Sequence, residues 1–135
     1  MVVVFGSTGF LGSSLSKAFS KNDHVIGISS KRIYDFKHEN DKKLDALKVL
    51  LKENANETTY IFCASMRYSP KFYRENPVDV YTKNMEAFFS FMNLLIQSPP
   101  KRAILTSSFA VYGATDKISL ESEVLHPASF PQGEF

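Results

Sequence analysis

Directly after the apolar run VVVF the chain carries GSTGFLG, which places Gly6, Ser7, Thr8, Gly9, Phe10, Leu11 and Gly12 at the start of a helical pattern. A glycine triplet alone says little, because glycine is common in turns. Between a buried-strand pattern and a helix start it has a specific chemistry. Gly6 lets the chain turn sharply, and Gly9 lets the backbone approach a pyrophosphate with no Cβ in the way. Gly12 lets the helix pack close to the sheet. The free N–H groups of the helix start and the positive end of its dipole then face an anion. The chemistry that follows is binding of a dinucleotide's pyrophosphate, and the bland alternative is a plain strand-to-helix turn.

Two further segments bear on the same ligand. After Ile28 come Ser29, Ser30, Lys31 and Arg32, with no acid. In dinucleotide folds an acid at the end of the second strand accepts hydrogen bonds from the ribose 2′-hydroxyl and repels a 2′-phosphate. Two hydroxyls and two cations suit the phosphate, so the cofactor expected is NADP or NAD, with NADP preferred; the alternative is a solvated basic loop. Further on, TSSFAVYG (Thr106 to Gly113) puts Thr106, Ser107 and Ser108 at the end of an apolar strand. A lone serine hydroxyl holds its proton too tightly at neutral pH to act as a base.

Other chemistries find little support. The single cysteine, Cys63, permits no internal disulfide and no cysteine cluster for zinc. His24, His38 and His126 are far apart and show no ligand spacing, so no metal is expected. The net charge of +2 argues for neither nucleic acid nor an acidic partner. The apolar N-terminus is broken by Gly6 after Phe5, too early for a signal peptide or membrane span. A reducing, cytoplasmic setting is the default expectation.

The elements that must position these residues alternate between strands and helices. Residues 2–5 read as a strand buried on both faces, 10–20 as a helix, and 24–28 as a strand. Residues 32–36 read as a short strand, 41–52 as an amphipathic helix with Leu44, Leu47 and Leu51 on one side, and 59–63 as a strand. A loop with turn signals at Ser69-Pro70 and Asn76-Pro77 precedes the longest helix, 78–97, whose stripe is Tyr81, Met85, Phe88, Met92 and Leu95. Pro99-Pro100 stops it, residues 103–106 form the last clear strand, and everything after Tyr112 reads as loop. The class is α/β: a Rossmann-type parallel sheet of about five strands with helices on both faces. The 135 residues fit one domain.

The spacing Gly-x-x-Gly-x-x-Gly and the segment TSSFAVYG together resemble the extended short-chain dehydrogenase/reductases, the NAD-dependent nucleotide-sugar epimerases and dehydratases, over essentially the whole chain. The resemblance implies that Ser108 hydrogen-bonds the sugar oxygen that gains or loses a proton during hydride transfer, with Thr106 and Ser107 as alternative hydroxyls. It places Cys63, Ala64 and Ser65 against the nicotinamide ribose, where small side chains allow close approach, or else they are simple core packing. Cys63 itself reads as a buried apolar residue. Asn84 matches the asparagine of the family's long central helix. Asp35-Phe36 resembles the segment whose backbone and carboxylate contact the adenine, although Asp35 reads equally well as a surface turn residue.

The family's acid/base pair, Tyr-x-x-x-Lys, is missing: Tyr34, Tyr60, Tyr68, Tyr73, Tyr81 and Tyr112 all lack a lysine four residues on. The resemblance thus implies an N-terminal, dinucleotide-binding part of a longer protein, inactive alone, whose substrate domain lies elsewhere. It also implies a nucleotide-sugar substrate and a homodimer for the whole protein. A cofactor-binding sensor that lacks catalysis is the alternative.

Overall fold

The run Val2–Phe5 becomes β1, the most buried strand, with all four residues shielded from solvent. In the computed structural model residues 1–65, 69–107 and 122 are described, and the chain divides into two units, Met1–Leu105 and Thr106–Phe135.

Chain order after β1 is α1 (Phe10–Phe19), β2 (Val25–Ile28), β3 (Ile33–Asp35), β4 (Asn40–Lys42) and α2 (Leu44–Glu53). A 3-10 turn (Ala55–Glu57), β5 (Thr59–Phe62), α3 (Pro70–Glu75), α4 (Pro77–Gln97) and β6 (Arg102–Leu105) complete it. The six strands form one sheet in the order β4-β3-β2-β1-β5-β6. β1 lies parallel to β2, with Val3 opposite Ile26, and parallel to β5, with Val3 opposite Tyr60. β6 is parallel to β5.

The expected α/β architecture with helices on both faces is present, but the sheet is mixed. β3 runs antiparallel to β2, and β4 antiparallel to β3. The cause is link length. A parallel return needs a crossover of a dozen or more residues, usually a helix. Helices α1, α2 and α4 lie in the links that return to parallel strands, whereas only Ser29 to Arg32 separate β2 from β3. A link that short closes a hairpin.

Alternation along β1 divides the core between the two faces of the sheet. Val3 and Phe5 join Ile26 and Tyr60 under Leu47 and Leu51 of α2 and Phe91 and Leu94 of α4. Val2 and Val4 join Val25 and Ile61, packed against Leu15 and Phe19 of α1. Phe91 meets Phe5 edge-on at 4.9 Å between ring centroids, an arrangement the ring quadrupoles favour.

Three elements depart from their sequence patterns. The buried residues of α4 are Val80, Phe91 and Leu94; from the expected stripe Met92 and Leu95 pack against the core partly buried and Phe88 meets Phe62, but Tyr81 is 67% exposed. Apolar residues ring much of this helix, so periodicity could not tell its inward face from its outward one. Residues 40–42 are strand, so α2 starts later than its charge pattern suggests. The expected loop after β5 contains α3, because Ser69 accepts a hydrogen bond from the Phe72 N–H as N-cap and Pro70 sits in the first turn. No helix among the described residues is long and apolar enough to cross a membrane.

Candidate functional site

Gly6 ends β1 with φ +83°, a conformation that side chains disfavour. Its N–H and that of Ser7 both donate to the Ile28 carbonyl, at 2.8 and 3.1 Å, which fixes the loop to the end of β2. A Cβ at Gly6 would stand 2.7 Å from the Ala64 Cα and N, so the loop also seats against the end of β5. Gly9 caps α1 without a side-chain hydrogen bond, while its own N–H donates to the Gly6 carbonyl at 2.9 Å. A Cβ at Gly12 would lie 2.1 Å from that same carbonyl oxygen. The three glycines let α1 start immediately above the ends of β1, β2 and β5.

The N–H groups of Phe10, Leu11 and Gly12 have no acceptor within the helix, as for any helix start, and no acid occupies the first turn. Thr8, Gly9, Phe10 and Leu11 are exposed, and Phe10 is 95% so. This surface offers backbone donors and a dipole's positive end with no side chain in front of Gly9. It fits the pyrophosphate of a dinucleotide.

Ser7 is buried on Gly27 of β2, where an added Cβ would come within 2.7 Å of the serine's Cβ and Oγ. Sequence reasoning read Gly27 only as part of a strand. The available signal was a glycine inside a strand pattern, which marks a close approach of neighbouring chain.

Below the loop the strand ends surround a cavity of about 320 Å³. Phe5, Gly6, Ile28, Ser29, Ser30, Ala64 and Ser65 line one side, and Lys83, Glu86, Ala87 and Ser90 of α4 line the other. The α4 residues recur at helical spacing on one face, and sequence reasoning missed them because polar residues at that spacing read as a solvated face. Ser29 and Ser30 therefore reach the cavity, as do Ala64 and Ser65. Lys31 and Arg32 are not among its lining residues. The Ser29 hydroxyl locks the hairpin turn by accepting from the N–H groups of Lys31 and Arg32. The Arg32 guanidinium lies 4.6 Å over the Tyr34 ring and 3.8 Å from Asp41.

Asp35 stands elsewhere. The hairpin carries it back along β2 to pair with Ile26, away from the strand ends that hold the glycine loop. It is fully buried, which corrects its reading as a surface turn residue. His24 Nε2 lies 3.0 Å from its Oδ1, and His38 Nδ1 2.8 Å from its Oδ2. The N–H groups of Lys37 and His38 donate to Oδ1, and Lys42 Nζ lies 3.4 Å from Oδ2. Burial alone would raise its pKa. The side-chain and backbone hydrogen bonds of His38, with the charge and hydrogen bond of His24, outweigh burial and hold the carboxyl well below the usual range. Two of the histidines that show no ligand spacing in sequence thus meet in space. Phe36 packs with the α1-side core, and its ring would stand 2.9 Å from a Cβ at Gly27, beside Ser7.

Cys63 is half-buried at the end of β5, and burial pushes its thiol up, toward the unreactive protonated form. Asn84 is half-buried on α4, and its amide donates to the Val80 carbonyl at 2.9 Å. Thr106 and Ser107 are exposed at the start of the second unit, and Ser108 lies outside the described residues.

Solved structures that share this fold include the following two. One is a UDP-glucose-4-epimerase from Stenotrophomonas maltophila with bound NAD and formylated UDP-arabinopyranose, at TM-score 0.65 and 14% identity over 93% of this chain. The other is MoeE5 in complex with UDP-glucose and NAD, at TM-score 0.65 and 22% identity over 95% of this chain. The chain spans only 42% and 43% of the lengths of these two proteins. No curated protein matches the chain in sequence. Residues 2–133, nearly the whole chain, match the NAD dependent epimerase/dehydratase family, and to that family the chain belongs.

Proposed function

We propose that this chain is the dinucleotide-binding part of a nucleotide-sugar epimerase, dehydratase or reductase that works by hydride transfer. The observation that carries the reading is the loop Gly6 to Gly12, where side-chain-free backbone and the unclaimed N–H groups of α1 meet above the strand ends. Thr8, Gly9, Phe10, Leu11 and Gly12 hold the pyrophosphate. Ser29 and Ser30 face the adenosine side, and Ala64 and Ser65 take the nicotinamide side, with Cys63 and Asn84 supporting the walls. Bound there, the nicotinamide supplies a reversible hydride acceptor.

The likeness of TSSFAVYG to the family's serine segment supports Ser108 as donor of a hydrogen bond to the reacting sugar oxygen, with Thr106 and Ser107 as alternative hydroxyls. With no acid after β2 and with Lys31 exposed, NADP is the preferred form of the cofactor over NAD. The placement of Asp35 and Phe36 supports a structural part for both, away from the adenine.

Calorimetric titration of the folded chain tests this reading. NADP binds more tightly than NAD, and Gly9→Val, which fills the pyrophosphate's approach, removes binding of both. Equal or tighter binding of NAD overturns the NADP preference. No binding of either by a chain shown to be folded overturns the whole reading.

A further inference from the structure

We propose that His24, Asp35 and His38 form a site for a divalent transition-metal ion such as zinc, which competes with the Lys42 ammonium for the Asp35 carboxylate. The three ligands come from separate segments: the residue before β2, the end of β3 and the turn between β3 and β4. One donor atom from each lies within 4.8 Å of the other two. Two imidazoles and one carboxylate are a ligand set that suits zinc and its transition-metal neighbours, whereas magnesium and calcium prefer oxygen alone.

The distances are close to those an ion needs. Metal–ligand bonds of about 2.0–2.2 Å put tetrahedral ligands roughly 3.3–3.5 Å apart. His24 Nε2 lies 3.0 Å from Oδ1 and His38 Nδ1 2.8 Å from Oδ2, so the contact to whichever oxygen binds must open by a few tenths of an ångström, while the other imidazole draws in from no more than 4.8 Å. The Asp35 side chain is 1% exposed and that of His38 52%, so the anchor is shielded while one ligand opens to solvent as an entry path. The N–H groups of Lys37 and His38 already orient the carboxylate, as outer-shell donors do in metal sites.

Lys42 shows that the carboxylate already attracts a cation, at 3.4 Å. Its side chain is 28% exposed, so it can swing outward when an ion enters. Each imidazole must turn a lone pair to the ion: a neutral ring does so by moving its hydrogen to the far nitrogen, and a charged one by releasing a proton. The ion would tie β2 to the β3–β4 hairpin at the opposite end of β2 from the glycine loop. The proposal therefore stands independently of dinucleotide binding.

The test uses the full chain after chelator treatment, titrated with Zn²⁺ by calorimetry and with Co²⁺ by visible absorption. The expected result is saturable uptake of a single ion with cobalt d–d bands. His38→Gln, at a half-exposed position, weakens binding by roughly tenfold or more. Lys42→Met, which removes the competing cation, tightens it several-fold. No saturable uptake, undiminished affinity in a folded His38→Gln, or weaker binding in Lys42→Met each overturns the proposal.

Discussion

Replacing Gly12 with alanine sets two effects of opposite sign against each other. In an exposed helix the change stabilises by about 1 kcal/mol, because glycine loses more backbone freedom on folding. Here the new Cβ would sit 2.1 Å from the Gly6 carbonyl oxygen, 2.7 Å from its carbon and 3.1 Å from the Ser7 Cα. Even the shortest C–H···O contacts run about 3.3 Å, so α1 would have to retreat by roughly 1 Å. The clashing atoms are backbone in a loop tied twice to Ile28 and cannot rotate away. Overpacking of this kind costs about 1–3 kcal/mol, and an immovable partner places the cost near the top of that range. The net loss is about 2 kcal/mol, or a fall in Tm of roughly 10 °C for a unit of this size. Displacing the helix start also stretches the N–H groups offered to a pyrophosphate, and one charge-assisted hydrogen bond is worth about tenfold in affinity. Thermal unfolding followed by circular dichroism, with calorimetry of NADP binding, checks both effects. A Tm at or above the wild-type value would refute the close packing of α1 on the loop.

Gly27→Ala brings a methyl against Ser7 and Phe36, and a loss of about 1–3 kcal/mol is expected in denaturant unfolding. Adding Ser7→Gly should restore much of that loss, whereas a purely additive double variant would count against the contact. Asp35→Asn removes the carboxylate that His24, His38 and Lys42 share and is expected to cost about 1.5–3 kcal/mol at neutral pH, since Lys42 can turn to solvent. The folded carboxyl is held below its ordinary value of 3.8, so its contribution is complete above that value and is lost as pH falls through it toward the folded pKa. Unfolding midpoints of wild type and variant should therefore converge between roughly pH 5 and pH 2, and a constant gap would exclude Asp35 as the titrating group.

Local chemistry made several features legible in the sequence. The run VVVF followed by GSTGFLG specifies strand, tight turn and helix start, because continuous apolar residues need burial on both faces and only glycine tolerates the close contacts at Gly6 and Gly12. The alternation of strands and helices specified the α/β class and the helices on both faces. Ser69-Pro70 carried the signal for the start of α3 as well, although it also reads as a turn, since serine and proline favour both.

The direction of β3 and the company of Asp35 were decided only in three dimensions. A strand pattern has no sense of direction, and it was the short link Ser29 to Arg32 that turned β3 antiparallel and carried Asp35 away from the strand ends. Residues distant in sequence then met by virtue of register: His24 with Asp35 and His38, Gly27 with Ser7, and the glycine loop with the end of β5. The inward face of α4 was settled the same way. Phe91 and Leu94 face the sheet because Phe5, Tyr60 and Phe62 offer a matching surface there, while Tyr81 and Phe89, equally apolar, remain exposed. Periodicity names the faces of a helix, but only packing against a partner determines which of them is buried.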